Sequence, residues 1–143
     1  MTSVFGSDNF YVGDKSLKDC NLCTNNSFTI FKWCLENAPA IAKIMRNMGY
    51  EQLYDSRYSN LTLFLPREFK QDIDLLYHTI GRRVISSEFE DNGILFQTLK
   101  KGYNIFYFNN TLIDYDTGIG SAVIDLNFEK TSNGNIYIIS CEI

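Results

Sequence analysis

His78 is the only histidine among 143 residues, so a Ser-His-Asp or Cys-His nucleophile, or a multi-histidine metal site, would have to be assembled around it. No Gly-x-Ser-x-Gly elbow and no His-Glu-x-x-His helix motif accompanies it. The cysteines are Cys20, Cys23, Cys34 and Cys141. Cys20-Asn21-Leu22-Cys23 has the spacing of half a zinc site, but the remaining thiolate or imidazole ligands would have to come from Cys34, Cys141 or His78. With no second paired motif, the expectation is no metal and no cofactor. A redox role for the pair would need a surrounding βαβ pattern, which the sequence lacks. An even cysteine count permits disulfides in an oxidising compartment; without an export signal, free thiols are expected.

Two acidic groups, Glu88/Glu90/Asp91 and Asp114/Asp116/Asp125, are the other candidates for chemistry. Neither follows an EF-hand spacing, and turn formation or a solvated surface accounts for both. Gly118-Ile119-Gly120 lacks the third glycine and the following helix of a dinucleotide site and reads as a loop. No catalytic residue is expected, and the chain reads as a non-enzyme. An enzyme or small-ligand carrier stays open only if His78 shares a cleft with Asp or Cys side chains.

The elements that would carry these residues belong to a folded domain. Apolar residues make up 45% and charged residues 21% of the chain, proportions that favour a globule over a disordered tail. With a net charge of -4 and only Arg82-Arg83 and Lys100-Lys101 as basic pairs, no stripe exists to neutralise phosphates, so no nucleic-acid partner is expected. No apolar run approaches the roughly 18 residues that span a bilayer, and MTSVFGSDNFYVGDK lacks the basic and apolar regions of a signal peptide. The expectation is no membrane insertion and a cytoplasmic or virion-associated setting. Heavy use of Asn, Ile, Tyr, Lys and Phe fits an AT-biased genome, such as that of a parasite or a large DNA virus.

Residues 1–26 read as an irregular lead-in and 27–143 as a single domain. Asn26 or Ser27 is placed to cap a helix bearing Phe28, Phe31 and Leu35. Pro39 suits the first turn of a second helix that places Ile41, Ile44, Met45 and Met48 on one face and stops at Gly49. Leu61 to Pro66 alternates as a strand, and Phe69, Ile73, Leu76 and Ile80 return to helical spacing before Gly81. Strands are then expected at 83–86, 95–99, 103–108, 111–115, 122–128 and 135–140, with hairpin turns at Asn109-Asn110 and Asn133-Gly134. Helices first and mostly antiparallel strands after them predict an α+β domain, with N-terminal helices packed on a β-sheet or sandwich.

Several segments, in order, resemble the fasciclin domain. They are the helix opening Phe28-Thr29-Ile30-Phe31, the strand Thr62-Leu63-Phe64-Leu65-Pro66, the helix end Leu75-Leu76-Tyr77-His78, and the closing Asn133-Gly134-Asn135-Ile136-Tyr137-Ile138-Ile139. Thr98-Leu99-Lys100-Lys101-Gly102 is similar to the family's Thr-Leu-x-Gly step into a hairpin. The resemblance covers roughly 27 to 140 and rests on order and spacing. Leu65, Arg67, Tyr137 and Ser140 depart from the family pattern, and the stretch from Pro66 to Tyr77 is short for it, which implies a missing helical segment and a trimmed side.

The resemblance implies a fasciclin-like, non-enzymatic protein-binding module of the cell-adhesion type, with integrins or matrix-type surface proteins as partners. It implies that Tyr77 and His78, with the apolar neighbours Leu75, Leu76 and Ile80, form the contact surface. The competing reading of the same residues is structural: Tyr77 and His78 are core side chains whose polar tips bond to backbone. A rival function is an intracellular, viral interaction protein that engages a cytosolic host or viral partner. Glycosylation sequons at Asn25, Asn60 and Asn109 carry meaning only in a secreted chain. Oligomeric state is left open by the sequence.

Overall fold

The computed structural model describes residues 28–143. The lead-in, the Cys20/Cys23 pair, the Asn25 sequon and the expected caps Asn26 and Ser27 lie outside the described residues. The fold is α+β; the described residues form three α-helices and two four-stranded sheets. Within the span expected to be one domain, the described residues group into two compact units. One comprises residues 28–60 with Lys130–Gly134, and the other comprises Leu61–Glu129 with Asn135–Ile143.

The first unit holds α1 (Ile30–Asn37), α2 (Pro39–Asn47) and α3 (Glu51–Asp55). Helix α1 is capped by Thr29, whose hydroxyl accepts the Lys32 N–H and donates to Asp55 Oδ1 at 2.6 Å. Helix α2 starts on Pro39, whose missing N–H costs nothing in a first turn, and gives way at Gly49, which adopts φ +80°. Ile41, Ile44 and Met45 are buried as the helical spacing predicts, but Met48 and Leu35 are exposed.

The second unit contains β1 (Leu61–Pro66), β2 (Thr79–Ile80), β3 (Ile94–Gln97), β4 (Asn104–Phe108), β5 (Thr111–Asp114) and β6 (Ser121–Val123). Two strands, β7 (Glu129–Thr131) and β8 (Gly134–Ile139), follow the chain as it passes between the units. The strand orders are β2-β1-β8-β7 and β3-β4-β5-β6, and the second sheet is antiparallel throughout. Bridges from Ile80 to Thr98 and from Ile124 to Ile139 join the two sheets along both margins. Phe64, Phe89, Phe96, Tyr107 and Tyr137 fill the space enclosed, in edge-to-face and tilted ring pairs.

Several expected elements are corrected. The helix read over Phe69 to Ile80 does not form; a 3-10 helix at Leu76–His78 and the short strand β2 stand at its end. Polar groups compete with the helical ladder there: Asp74 Oδ1 accepts the Tyr77 N–H, and the Thr79 hydroxyl donates to Leu75 O. Thr79 and Ile80 then pair with Leu63 and Thr62, which β-branched residues favour. The strand expected at 83–86 is irregular chain ending in a 3-10 helix, Ser86–Glu90, and the one expected at 122–128 is only β6 followed by the Ile124 bridge. Asn109 and Asn110 do take positive φ, +57° and +67°, as a two-residue hairpin requires. The other hairpin turns at Ser132-Asn133, with Gly134 already in β8. All six residues of β8 are buried.

Candidate interaction surface

The 3-10 turn at Leu76–His78 positions the residues that sequence reasoning selected. Leu75, Tyr77, His78 and Ile80 are buried, and Leu76 is half-buried. The structure therefore brings the set together in the interior and does not present it as an exposed patch. His78 Nδ1 donates to Asp74 O at 2.8 Å, and the Ile143 N–H donates to His78 Nε2 at 3.1 Å. That pair of contacts requires the neutral ring with its proton on Nδ1. Burial pushes the His78 pKa down; Asp74 and Glu142 act the other way but more weakly. Both ring nitrogens are committed to backbone, as the structural reading of this histidine predicts.

Tyr77 stacks edge-on against His78, with centroids 5.6 Å apart, and against Tyr103 at 6.2 Å. Its hydroxyl is buried and makes no hydrogen bond, although the Asp114 carboxylate lies near without closing one of normal geometry. Burial first, and then the Asp114 charge, push the phenol's pKa well up, so it stays protonated.

Glu88 of the first acidic group and Asp114 and Asp125 of the second make local bonds. Glu88 accepts from Arg82 Nη1 at 2.9 Å and from the Ile85 N–H, and Asp114 accepts from the Asp116 N–H and the Thr117 hydroxyl. Asp125 accepts the Asn127 N–H. Among the described residues no group of three His, Cys, Asp or Glu side chains is placed to hold a metal. Cys34 and Cys141 are free thiols, and burial pushes the Cys34 pKa up, which keeps that thiol protonated and unreactive.

Two surface features were not foreseen. The first is the outer face of the β3–β6 sheet. Strand alternation turns Phe96, Ile105, Tyr107, Leu112 and Ala122 inward, leaving Leu95, Phe106 and Ile113 as cross-strand neighbours on the opposite face. Beside that row, Phe108 and Val123 flank Thr111, and Tyr115 packs on Phe106 at 6.1 Å. Leu95, Phe108, Val123 and Tyr115 are 47%, 49%, 54% and 55% exposed, so this face offers apolar area to a partner where a sheet face in water is usually polar. The signal was available as apolar residues at every position of Ile105-Phe106-Tyr107-Phe108, which one buried face alone cannot absorb.

The second feature is a cleft of about 470 Å³ lined by Ile80, Gly81, Arg82 and residues 95–99. Arg82 is the one charged residue of that lining; its guanidinium sits 5.8 Å from the Phe96 ring centroid and is paired with the Glu88 carboxylate at 2.9 Å.

No family model matches the chain, and no curated protein matches it. No helix among the described residues is long and apolar enough to cross a membrane.

Proposed function

We propose that the chain is a non-enzymatic protein-binding module of the fasciclin-like adhesion type, and that its contact surface is the outer face of the β3–β6 sheet. The observation that carries this reading is the row Leu95, Phe106 and Ile113 with its exposed neighbours Phe108, Val123 and Tyr115. An exposed apolar face of this kind recovers free energy when a partner covers it, and aromatic residues are the usual anchors of such contacts. The ordered segments that resemble the fasciclin domain support the same reading. His78 adds support, since both its ring nitrogens are bonded to backbone, which leaves neither free to act as a base.

The test is capture of partners by the purified chain from intact cell surfaces and, separately, from cytosolic lysate, with Phe108→Asp and Val123→Asp as surface variants. Saturable capture from cell surfaces that both variants lose supports the adhesion-type module. Capture from lysate alone, lost in the same variants, moves the partner inside the cell and favours the intracellular reading. Capture that neither variant weakens overturns the assignment of this face.

A further inference from the structure

Residues 141–143 form a strap at the margin of β6, and one of its fastenings is a histidine. Ser140 is pinned to β6: its N–H donates to Val123 O and its hydroxyl accepts the Val123 N–H, both at 2.9 Å. Beyond it the chain belongs to no helix or strand. The Cys141 thiol reaches Ser121 O at 3.4 Å, the Glu142 carboxylate accepts the Lys70 N–H, and the Ile143 N–H donates to His78 Nε2 at 3.1 Å. The Ile143 side chain packs on the core, and its backbone runs close to Gly120, where an added Cβ would lie 2.8 Å from the Ile143 carbonyl carbon. Of the strap's partners only the imidazole has an ordinary pKa between about pH 5 and 8.

We propose that His78 is an acid-operated latch: protonation of Nε2 releases residues 141–143 while the rest of the second unit stays folded. In the closed state Nε2 accepts the Ile143 N–H, because Nδ1 carries the one ring proton and donates it to Asp74 O. A proton added at Nε2 sets two donors against each other, so the bond is lost and one side withdraws. The turn is the better anchored side. Asp74 Oδ1 holds the Tyr77 N–H, Leu75 O holds the His78 N–H and the Thr79 hydroxyl, and Thr79 and Ile80 pair with Leu63 and Thr62. The strap has no ladder beyond Ser140, so it leaves, and its departure gives the buried imidazolium access to water. The charged groups acting on the ring are Asp74 of its own turn, paired with Lys100 at 2.7 Å, and Glu142 of the strap; Tyr77 beside it is a neutral phenol, on which Asp114 and Asp116 act. Asp74 and Glu142 favour the charged ring, but burial outweighs them, so the closed state takes the proton only below the ordinary 6.5 and the latch holds at neutral pH. The open state binds the proton more readily, so acid moves the population toward it. Opening uncovers the Ser121 carbonyl and the Cys141 thiol and turns Ile143 out to water.

The experiment is NMR of the full, nitrogen-15-labelled chain titrated between about pH 7.5 and about pH 5. Ring-nitrogen shifts report the proton on Nε2, and the heteronuclear NOE of the Glu142 and Ile143 amides reports their order. The expected result is one midpoint, below the ordinary 6.5, at which both change together. The ring passes from the Nδ1–H tautomer to imidazolium, the two NOE values fall from those of rigid backbone to those of mobile chain, and the amides of Leu63, Thr79 and Ile80 keep their shifts. A Gly-Ser tail appended after Ile143, which carries any terminal carboxylate away from the ring, leaves this transition in place; its loss in the tailed chain overturns the assignment to His78. Gly120→Ala tests the coupling from the other side, since its Cβ displaces Ile143 and not the imidazole. It should free Glu142 and Ile143 at neutral pH and raise the His78 pKa toward its ordinary value, as reciprocity between two linked events requires. An imidazolium that forms with the strap still ordered, by turning to Glu142, overturns the latch. Loosening of Thr79 and Ile80 at the same midpoint overturns it too, because the unit is then unfolding as a whole. So does a Gly120→Ala chain whose strap is free while His78 titrates as before.

Discussion

The Asn133 carboxamide oxygen accepts the backbone N–H of Ile30 at 2.8 Å across 103 residues of sequence. The same side chain donates to Tyr54 O at 3.0 Å and Ser56 O at 2.8 Å. One buried amide thus satisfies a helix-terminal donor of α1 and two carbonyls at and beyond the end of α3.

Asn133→Ala should therefore be among the most damaging single substitutions in the first unit. It strands a buried donor and removes partners from two acceptors, an expected loss of about 2–4 kcal/mol. Urea unfolding read by circular dichroism checks this; a loss within error of zero would mean the bonds are replaced by water.

Tyr77 and Tyr137 should respond oppositely to removal of the hydroxyl. Tyr137 Oη donates to Val84 O at 2.7 Å, so Tyr137→Phe should cost about 1 kcal/mol. Tyr77 Oη is buried without a partner, so Tyr77→Phe should be neutral or stabilising, while Tyr77→Ala should cost about 3–5 kcal/mol through the cavity it leaves. Thermal unfolding of the three variants decides it.

Stability should fall as pH drops through the imidazole range. The folded chain holds His78 neutral, with its pKa below the ordinary 6.5, so below that pH the unfolded chain binds a proton that the folded chain refuses. The contribution is fully present above the ordinary value and is lost progressively beneath it. Urea midpoints from pH 7.5 to 5 should decline, and His78→Leu should flatten the part of the decline that belongs to this residue.

Thr62 should matter more than its size suggests. Its hydroxyl donates to Arg82 O and accepts the Val84 N–H, both at 2.7 Å, so it holds the irregular chain that replaces the expected 83–86 strand. Thr62→Val keeps the shape but leaves the buried Val84 N–H without its acceptor, at about 1–3 kcal/mol. Phe108→Asp, at an exposed position, should change stability by less than about 0.5 kcal/mol. Parallel denaturation curves of the two variants test the contrast.

Local signals in the sequence were strong where backbone chemistry alone decides structure. Pro39 opens α2, Gly49 follows its end, and the Asn109-Asn110 pair turns the β4–β5 hairpin, each because the residue type restricts or permits particular φ values. The period-2 patterns located β3, β4, β5 and β8 within a residue or two. The helix predicted over Phe69 to Ile80 failed because its apolar spacing is equally served by a 3-10 turn followed by a strand, and only the partners Leu63 and Thr62 select between them. Strands β2 and β7 were missed because segments of two and three residues carry no readable period.

The sequence by itself determined the α+β class, the principal turns, and the fact that any histidine chemistry must centre on His78. The tertiary structure alone decided that Tyr77 and His78 are interior residues, that Asn133 binds Ile30, Tyr54 and Ser56, and that Leu95 and Gln97 face a cleft. The physical reason is common to all three. Residue type and spacing set local backbone preference and the face a side chain occupies, but burial and hydrogen-bond pairing depend on segments tens of residues away, whose approach no local pattern encodes.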